Sequence, residues 1–165
     1  MKAHHETNSH MPDPPTGIRA IPWRLPIWLY RLRLGWLLGH RALLLTHTGR
    51  ISGKRRHAVL EVIKYDDINN LHYVASGFGK KSNWYRNIKK TPLVTIQSGG
   101  NQFAVKAVFL PTDEGLRILL GYQEKYPNAI KNLARIIGYQ MGESETEIQD
   151  FLRQIPIIAF EPTTM

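Results

Sequence analysis

The chain contains no cysteine. Disulfides, cysteine-ligated zinc or iron–sulfur centres and thiol nucleophiles are therefore excluded. The absence agrees with a reducing, cytoplasmic compartment. Acidic residues are scarce as well: 13 Asp and Glu stand against 22 Lys and Arg, a formal charge of +9. That surplus suits an anionic partner, whether nucleic acid, an anionic membrane or a phosphorylated small molecule. The first residues, "MKAHHETNSHMPDPPTGIRA", lack the apolar core of a secretory leader. Residues 1–17 read as a disordered lead, with His4, His5 and His10 as solvated side chains rather than metal ligands.

A long charge-free hydrophobic run is also missing. The nearest approach is "PIWLYRLRLGWLLGHRALLL", interrupted by Arg31, Arg33, His40 and Arg41. Each arginine near a bilayer centre costs about 2.5–3.5 kcal/mol. Residues 18–39 instead read as an amphipathic helix. Ile27, Tyr30, Leu34, Leu37 and Leu38 share one face, with Trp28, Leu32 and Trp36 opposite. Such a helix either lies under its own domain or rests in a membrane interface with its arginines snorkelling. Both readings stay open.

Nucleotide motifs are absent too. A P-loop needs G-x-x-x-x-G-K-[ST]. Here Gly49 and Gly53 enclose three residues, and Lys54 is followed by Arg55, so no hydroxyl is placed for magnesium. Neither G-x-G-x-x-G nor G-x-S-x-G occurs. His47 and His57 flank the basic turn, but no third ligand has metal-site spacing, so no metal is expected.

Turning to what is present, 165 residues at 42% hydrophobic content suffice for one domain with one core. Strands are expected at 42–48, 57–66, 71–76, 93–98, 102–110 and 156–162 from their apolar alternation and bounding turn residues. Within the second, Val59, Glu61 and Ile63 share a face, so one face carries a carboxylate. Helices are expected at 82–90, with Ser82 as cap, and from Thr112 as N-cap, followed by helical patterns at 128–140 and 144–155. Six short strands with clustered helices indicate a mainly β, α+β fold, a small barrel-like sheet with helices.

Two loops concentrate charge. The first, "LTHTGRISGKRR", holds Arg50, Lys54, Arg55 and Arg56. The second, "SGFGKKSNWYRN", joins Gly77 and Gly79 to Lys80 and Lys81 and leads into a helix N-terminus. Glycine-rich backbone with cations and a helix start suits a phosphate. Basic residues in two compact loops, with no helix-turn-helix or RNA-binding aromatic signature, argue against nucleic acid. Trp84 beside Tyr85 is either core or a stacking wall.

"LTHTGRISGKRR", "YVASGFGKKSNWYRNIKKTPLVTIQ" and "IPIIAFEP", in this order over residues 40–162, resemble the deazaflavin-dependent nitroreductase family. That family includes quinone reductases using coenzyme F420. The resemblance implies a split β-barrel related to FMN-binding proteins, spanning residues 40–165. It implies hydride transfer from reduced F420 to a small-molecule electron acceptor such as a quinone or nitro compound. By position, Arg50, Ser52, Gly53, Lys54, Arg56, Gly77, Lys80, Lys81, Trp84 and Asn87 would meet the cofactor, with Ser76 against its ring as the catalytic position. Glu61, Tyr122, Tyr126 and Tyr139 are the candidate substrate residues. Ile51 and Gly77 stand where relatives commonly carry lysine, and Glu61 where they carry tyrosine. FMN therefore stays as the alternative cofactor, and a carrier of an anionic ligand as the alternative function. A homodimer and a peripheral membrane contact are further expectations.

Overall fold

A computed structural model gives the fold and describes residues 11–14 and 40–163. The helix expected over 18–39, and most of the lead at 1–17, lie outside the described residues. Six strands are present: β1 (Ala42–Thr48), β2 (Arg55–Asp66), β3 (Leu71–Ala75), β4 (Leu93–Ser98), β5 (Asn101–Phe109) and β6 (Ile157–Pro162). They close into an antiparallel barrel in the order β1-β2-β3-β6-β5-β4. The described helices are α1 (Asn83–Lys90), α2 (Thr112–Lys125), α3 (Ala129–Ile137) and α4 (Glu145–Arg153). This is the mixed α+β split barrel anticipated above.

Alternation explains the barrel. In β1, Leu43, Leu45 and His47 turn inward while the residues between them are more open. Pairing with β2 sets Leu43 opposite Leu60 and Leu45 opposite Ala58. Val74, Ile96, Ile158 and Phe160 complete the interior. Each such side chain contributes about 1.5–3 kcal/mol on burial. Helix α1 closes one end, inserting Tyr85 and Ile88 into the same core. Tyr85 meets Phe109 edge-on at 5.2 Å.

A second apolar cluster binds α2, α3 and α4 to the outside of the barrel through Leu119, Ile130, Phe151 and Ile157. Gly115 permits this approach, since a Cβ there would lie 3.1 Å from Ile157 Cγ1. Helix α4 begins with a reciprocal capping box between Ser144 and Glu147. Two expected caps differ. Helix α1 follows Ser82, whose side chain makes no capping bond, because its hydroxyl is engaged by Ser76 at 2.9 Å. Helix α2 begins at Thr112 with Pro111 as the capping residue and no side-chain cap. Among the described residues, no helix is long and apolar enough to cross a membrane.

Candidate cofactor and acceptor cleft

The β1–β2 turn is a tight loop. Gly53 N–H donates to the Gly49 carbonyl, and Gly49 N–H to the Lys54 carbonyl, both at 2.8 Å. Gly53 has φ +65°, the left-handed conformation that favours glycine. The turn carries Arg50 to the start of α1, while the Ser52 hydroxyl accepts from the Lys54 N–H within the turn. A cleft of about 830 Å³ opens there, within the ordinary range for a small-molecule site. It runs from Arg50, Arg56 and His57 along β2, under α2 and α3, to Glu61 and Tyr122. Ala58, Leu60, Leu119, Leu133 and Ile137 supply apolar wall, with Trp84 and Phe78 at the α1 side.

A connected polar network stands behind the cationic end. Asn87 Oδ1 accepts from the Arg50 backbone N–H and from Arg50 Nη1, each at 3.0 Å. Arg50 Nη1 also donates to Asn83 Oδ1 at 3.1 Å, and Lys90 Nζ donates to the Arg50 carbonyl at 2.9 Å. The two Arg50 donors fix the Asn87 amide, so its Nδ2 is the donor toward His47 Nδ1 at 3.1 Å. His47 Nδ1 must therefore be unprotonated. Burial, aided by the charges of His57 and Arg56, lowers the His47 pKa to about 4. The imidazole is neutral at physiological pH.

The far end has the opposite character. Tyr122 Oη donates to Glu61 Oε1 at 2.6 Å. Burial first, and then the Glu61 hydrogen bond, raise the Tyr122 pKa well above the usual phenol range. Two cations lie nearby on the other side: Arg41 and Lys125 flank the Tyr126 ring, 5.8 and 5.6 Å from its centroid.

Of the residues expected at a site, the cleft gathers Arg50, Ser52, Arg56, Glu61, Gly77, Trp84, Asn87 and Tyr122. Others lie elsewhere. Ser76 is fully buried. Its hydroxyl donates to the Gly79 carbonyl at 2.7 Å and meets the Ser82 hydroxyl, so it braces the glycine loop and does not line the cleft. Lys81 pairs with Asp13 at 2.9 Å and donates to the Met11 carbonyl at 3.0 Å. Met11 is itself buried and Pro14 reaches the cleft, so residues 11–14 lie against the second loop and do not stand apart as a free lead. Lys80 and Lys54 are exposed outside the cleft, and Gly53 lines a separate groove with Thr46, Arg55 and Leu93. Tyr139 packs on Phe151 with its ring tilted, centroids 4.4 Å apart, and Tyr126 packs against Tyr122; neither lines the cleft. Asn83, His47 and Leu133 also line the cleft, and the sequence pattern does not single them out in these positions. Among the described residues no group of three His, Asp or Glu is arranged to hold a metal.

The chain is similar to known proteins in keeping with this architecture. The model of the F420H(2)-dependent quinone reductase family matches residues 28–146. Rv3178 of Mycobacterium tuberculosis (strain ATCC 25618 / H37Rv), a candidate F420H(2)-dependent quinone reductase, is 33% identical over 134 residues, 80% of this chain and 98% of the relative. Among solved structures, an F420-H2-dependent reductase (FDR-A) is similar at a TM-score of 0.51 and 23% identity, over 75% of this chain and 96% of its own. A domain-swapped dimer is similar at a TM-score of 0.51 and 23% identity, over 82% of this chain and 99% of its own. These two likenesses bear on the fold. The family match and the curated relative decide the rest: the chain belongs to the F420H(2)-dependent quinone reductase family and is an F420-dependent oxidoreductase, with coenzyme F420 as its cofactor.

Proposed function

We propose that this chain reduces a quinone-type acceptor at the cleft between β2 and helices α2 and α3. The carrying observation is the cleft's division of polarity. Arg50 and Arg56 stand at one end with Asn83 and Asn87, and an apolar wall of Ala58, Leu60, Leu133 and Ile137 continues from them. These residues fit a cofactor with an anionic tail and a planar ring. The reduced deazaflavin supplies a hydride from its C5 position when bound.

The chain's part is binding and orientation. Arg56 and Arg50 would hold the phosphate and glutamate tail, with Ser52 and the Gly53 turn shaping the loop around it. Asn87 and Asn83 fix the Arg50 guanidinium, so its donors are set before the anion arrives. The apolar wall and Trp84 would exclude water from the ring, with Gly77 leaving room beside Leu133. Ser76 serves by bracing the Gly77–Gly79 backbone. The acceptor would enter at the Glu61 and Tyr122 end.

Charge-assisted hydrogen bonds contribute about 1.5–3 kcal/mol each. A few of them are comparable with the ~4–15 kcal/mol cost of association, so ring burial must supply much of the net affinity. The test is a fluorescence titration with F420, paired with oxidation of F420H2 by a simple naphthoquinone. Micromolar or tighter binding with quinone-dependent oxidation is expected. Binding without turnover of any quinone would overturn the acceptor assignment, and tighter binding of FMN would overturn the cofactor placement.

A further inference from the structure

Glu61 is the one carboxylate among the described residues that line the cleft. It lies five positions along β2 from Arg56, roughly 16 Å in an extended strand. The cleft therefore has a cationic end and a separate acidic end. The acidic end also has a fixed hydrogen-bonding sense. The single Tyr122 hydroxyl proton is given to Glu61 Oε1 at 2.6 Å, a length typical of a charge-assisted bond. Tyr122 Oη and the remaining Glu61 oxygen then offer only lone pairs to a third molecule.

We propose that the Glu61–Tyr122 pair selects the electron acceptor by charge and hydrogen-bonding sense. It admits neutral or cationic acceptors that present a hydrogen-bond donor, such as a ring hydroxyl or amino group, and it turns away anionic ones. The proposal rests on the reductase reading above and deepens it.

The surroundings support this assignment. The described ion pairs are Lys81–Asp13 and Arg153–Asp113, so neither takes up the Glu61 charge. The nearby cations are Arg41, whose carbonyl accepts from the Val62 N–H beside Glu61, and Lys125; both side chains lie against the Tyr126 ring, and neither is in an ion pair with Glu61. Ile63 and Leu119 provide apolar lining close to this end, so a neutral ring is accommodated where an anion is not. The opposite charge of the two ends also keeps the anionic cofactor tail from binding in reverse. An anionic acceptor would meet the reverse situation, repelled at Glu61 and competing with the tail at Arg56.

The experiment compares naphthoquinones matched in ring and potential, each bearing a hydroxyl, a sulfonate or a trimethylammonium group at the end of a short alkyl spacer. Steady-state oxidation of F420H2 is measured for the wild-type protein, Glu61→Gln and Tyr122→Phe. Quinone binding to the protein alone is followed in parallel by calorimetry, and F420 affinity by fluorescence. The wild type should disfavour the sulfonate by roughly tenfold in kcat/KM, mostly through KM. Glu61→Gln should narrow that gap to about threefold or less. Tyr122→Phe, which keeps the carboxylate, should retain it. The same order should appear in cofactor-free binding, and raised salt should shrink it. An unchanged sulfonate penalty in Glu61→Gln, with F420 binding and quinone turnover intact, overturns the selection role alone. Loss of F420 binding in the wild type overturns the reductase reading itself, and this inference with it.

Discussion

Asn87 Oδ1 accepts both the main-chain N–H and the guanidinium of Arg50, joining the β1–β2 turn to helix α1 through one amide. Asn87 is buried, and its Nδ2 reaches His47 on the inner face of β1. Truncation removes this partner from the Arg50 N–H, from Arg50 Nη1 and from His47 Nδ1. Asn87→Ala is expected to cost about 2–3 kcal/mol. Thermal unfolding should register this as a fall of about 4–10 °C. The same variant should weaken F420 binding, because the Arg50 donors are no longer preset. Arg50→Ala should cost less stability in the Asn87→Ala background than in the wild type, and a double-mutant cycle measures that coupling. Additive losses would mean that the two residues act separately.

The two arginines of the cleft should separate in behaviour. Arg50 is bound to Asn83 and Asn87, whereas Arg56 is exposed at the cleft on β2. Arg56→Ala is expected to weaken F420 by about tenfold or more, the worth of one charge-assisted bond, with little change in melting. Arg50→Ala should lose affinity and melting temperature together. Fluorescence titrations at low and high salt provide the check, since the Arg56 contribution should fade with ionic strength. A sharp melting loss in Arg56→Ala with affinity retained would make that arginine structural.

His47 sets a pH dependence whose sign is fixed by its neutral state. Burial, together with the His57 and Arg56 charges, lowers its pKa from 6.5 to about 4. Between these values the unfolded chain binds the proton and the folded chain does not. The stabilising contribution is therefore complete above the unfolded value and declines as pH falls from about 6.5 toward 4, by on the order of 2–3 kcal/mol. Buried His72 is lowered in the same direction, by desolvation first and then by His40, and adds to the slope. Urea unfolding across this window should show falling stability, and His47→Gln should flatten part of the fall. Glutamine can still accept from Asn87 Nδ2 without titrating. An identical slope in the variant would assign the acid sensitivity elsewhere.

Much of the barrel was legible because its strands alternate cleanly and stop at glycine or polar turns. The reading of 42–48 coincides with β1, and Val59, Glu61 and Ile63 all line the cleft. What failed to show was the direction of single side chains near strand ends. His47 and His57 flank the basic turn, a placement that suggests two imidazoles facing each other across a hairpin. The register instead sets Thr46 opposite His57 and His47 opposite Arg56, so the two imidazoles belong to different networks. Ser76 stands just past β3, where the following turn carries its hydroxyl inward to Gly79 and Ser82. Lys81 announced an anion, but composition could not reveal that Asp13 lies across from it. The tyrosines of the later helices were distinguishable only by packing, since Tyr122 meets Glu61 while Tyr139 covers Phe151.

Gly77 and Leu133 set the width of the cleft where the glycine loop faces α3. A Cβ at Gly77 would stand 3.0 Å from Leu133 Cδ1, closer than carbon atoms normally approach. The neighbour is the end of a flexible side chain, so the fold can absorb the methyl by moving Leu133 into the cleft. Gly77→Ala is therefore expected to change stability by about 1 kcal/mol or less while weakening F420 binding several-fold. Leu133→Ala opens the same space and loses wall contact. Combined with Gly77→Ala, it should recover affinity relative to Gly77→Ala alone, a coupling visible in a double-mutant cycle by fluorescence titration. If Gly77→Ala lowers affinity equally with and without Leu133, the loss arises from the loop backbone, and the glycine is required there for its conformation and not for the room it leaves.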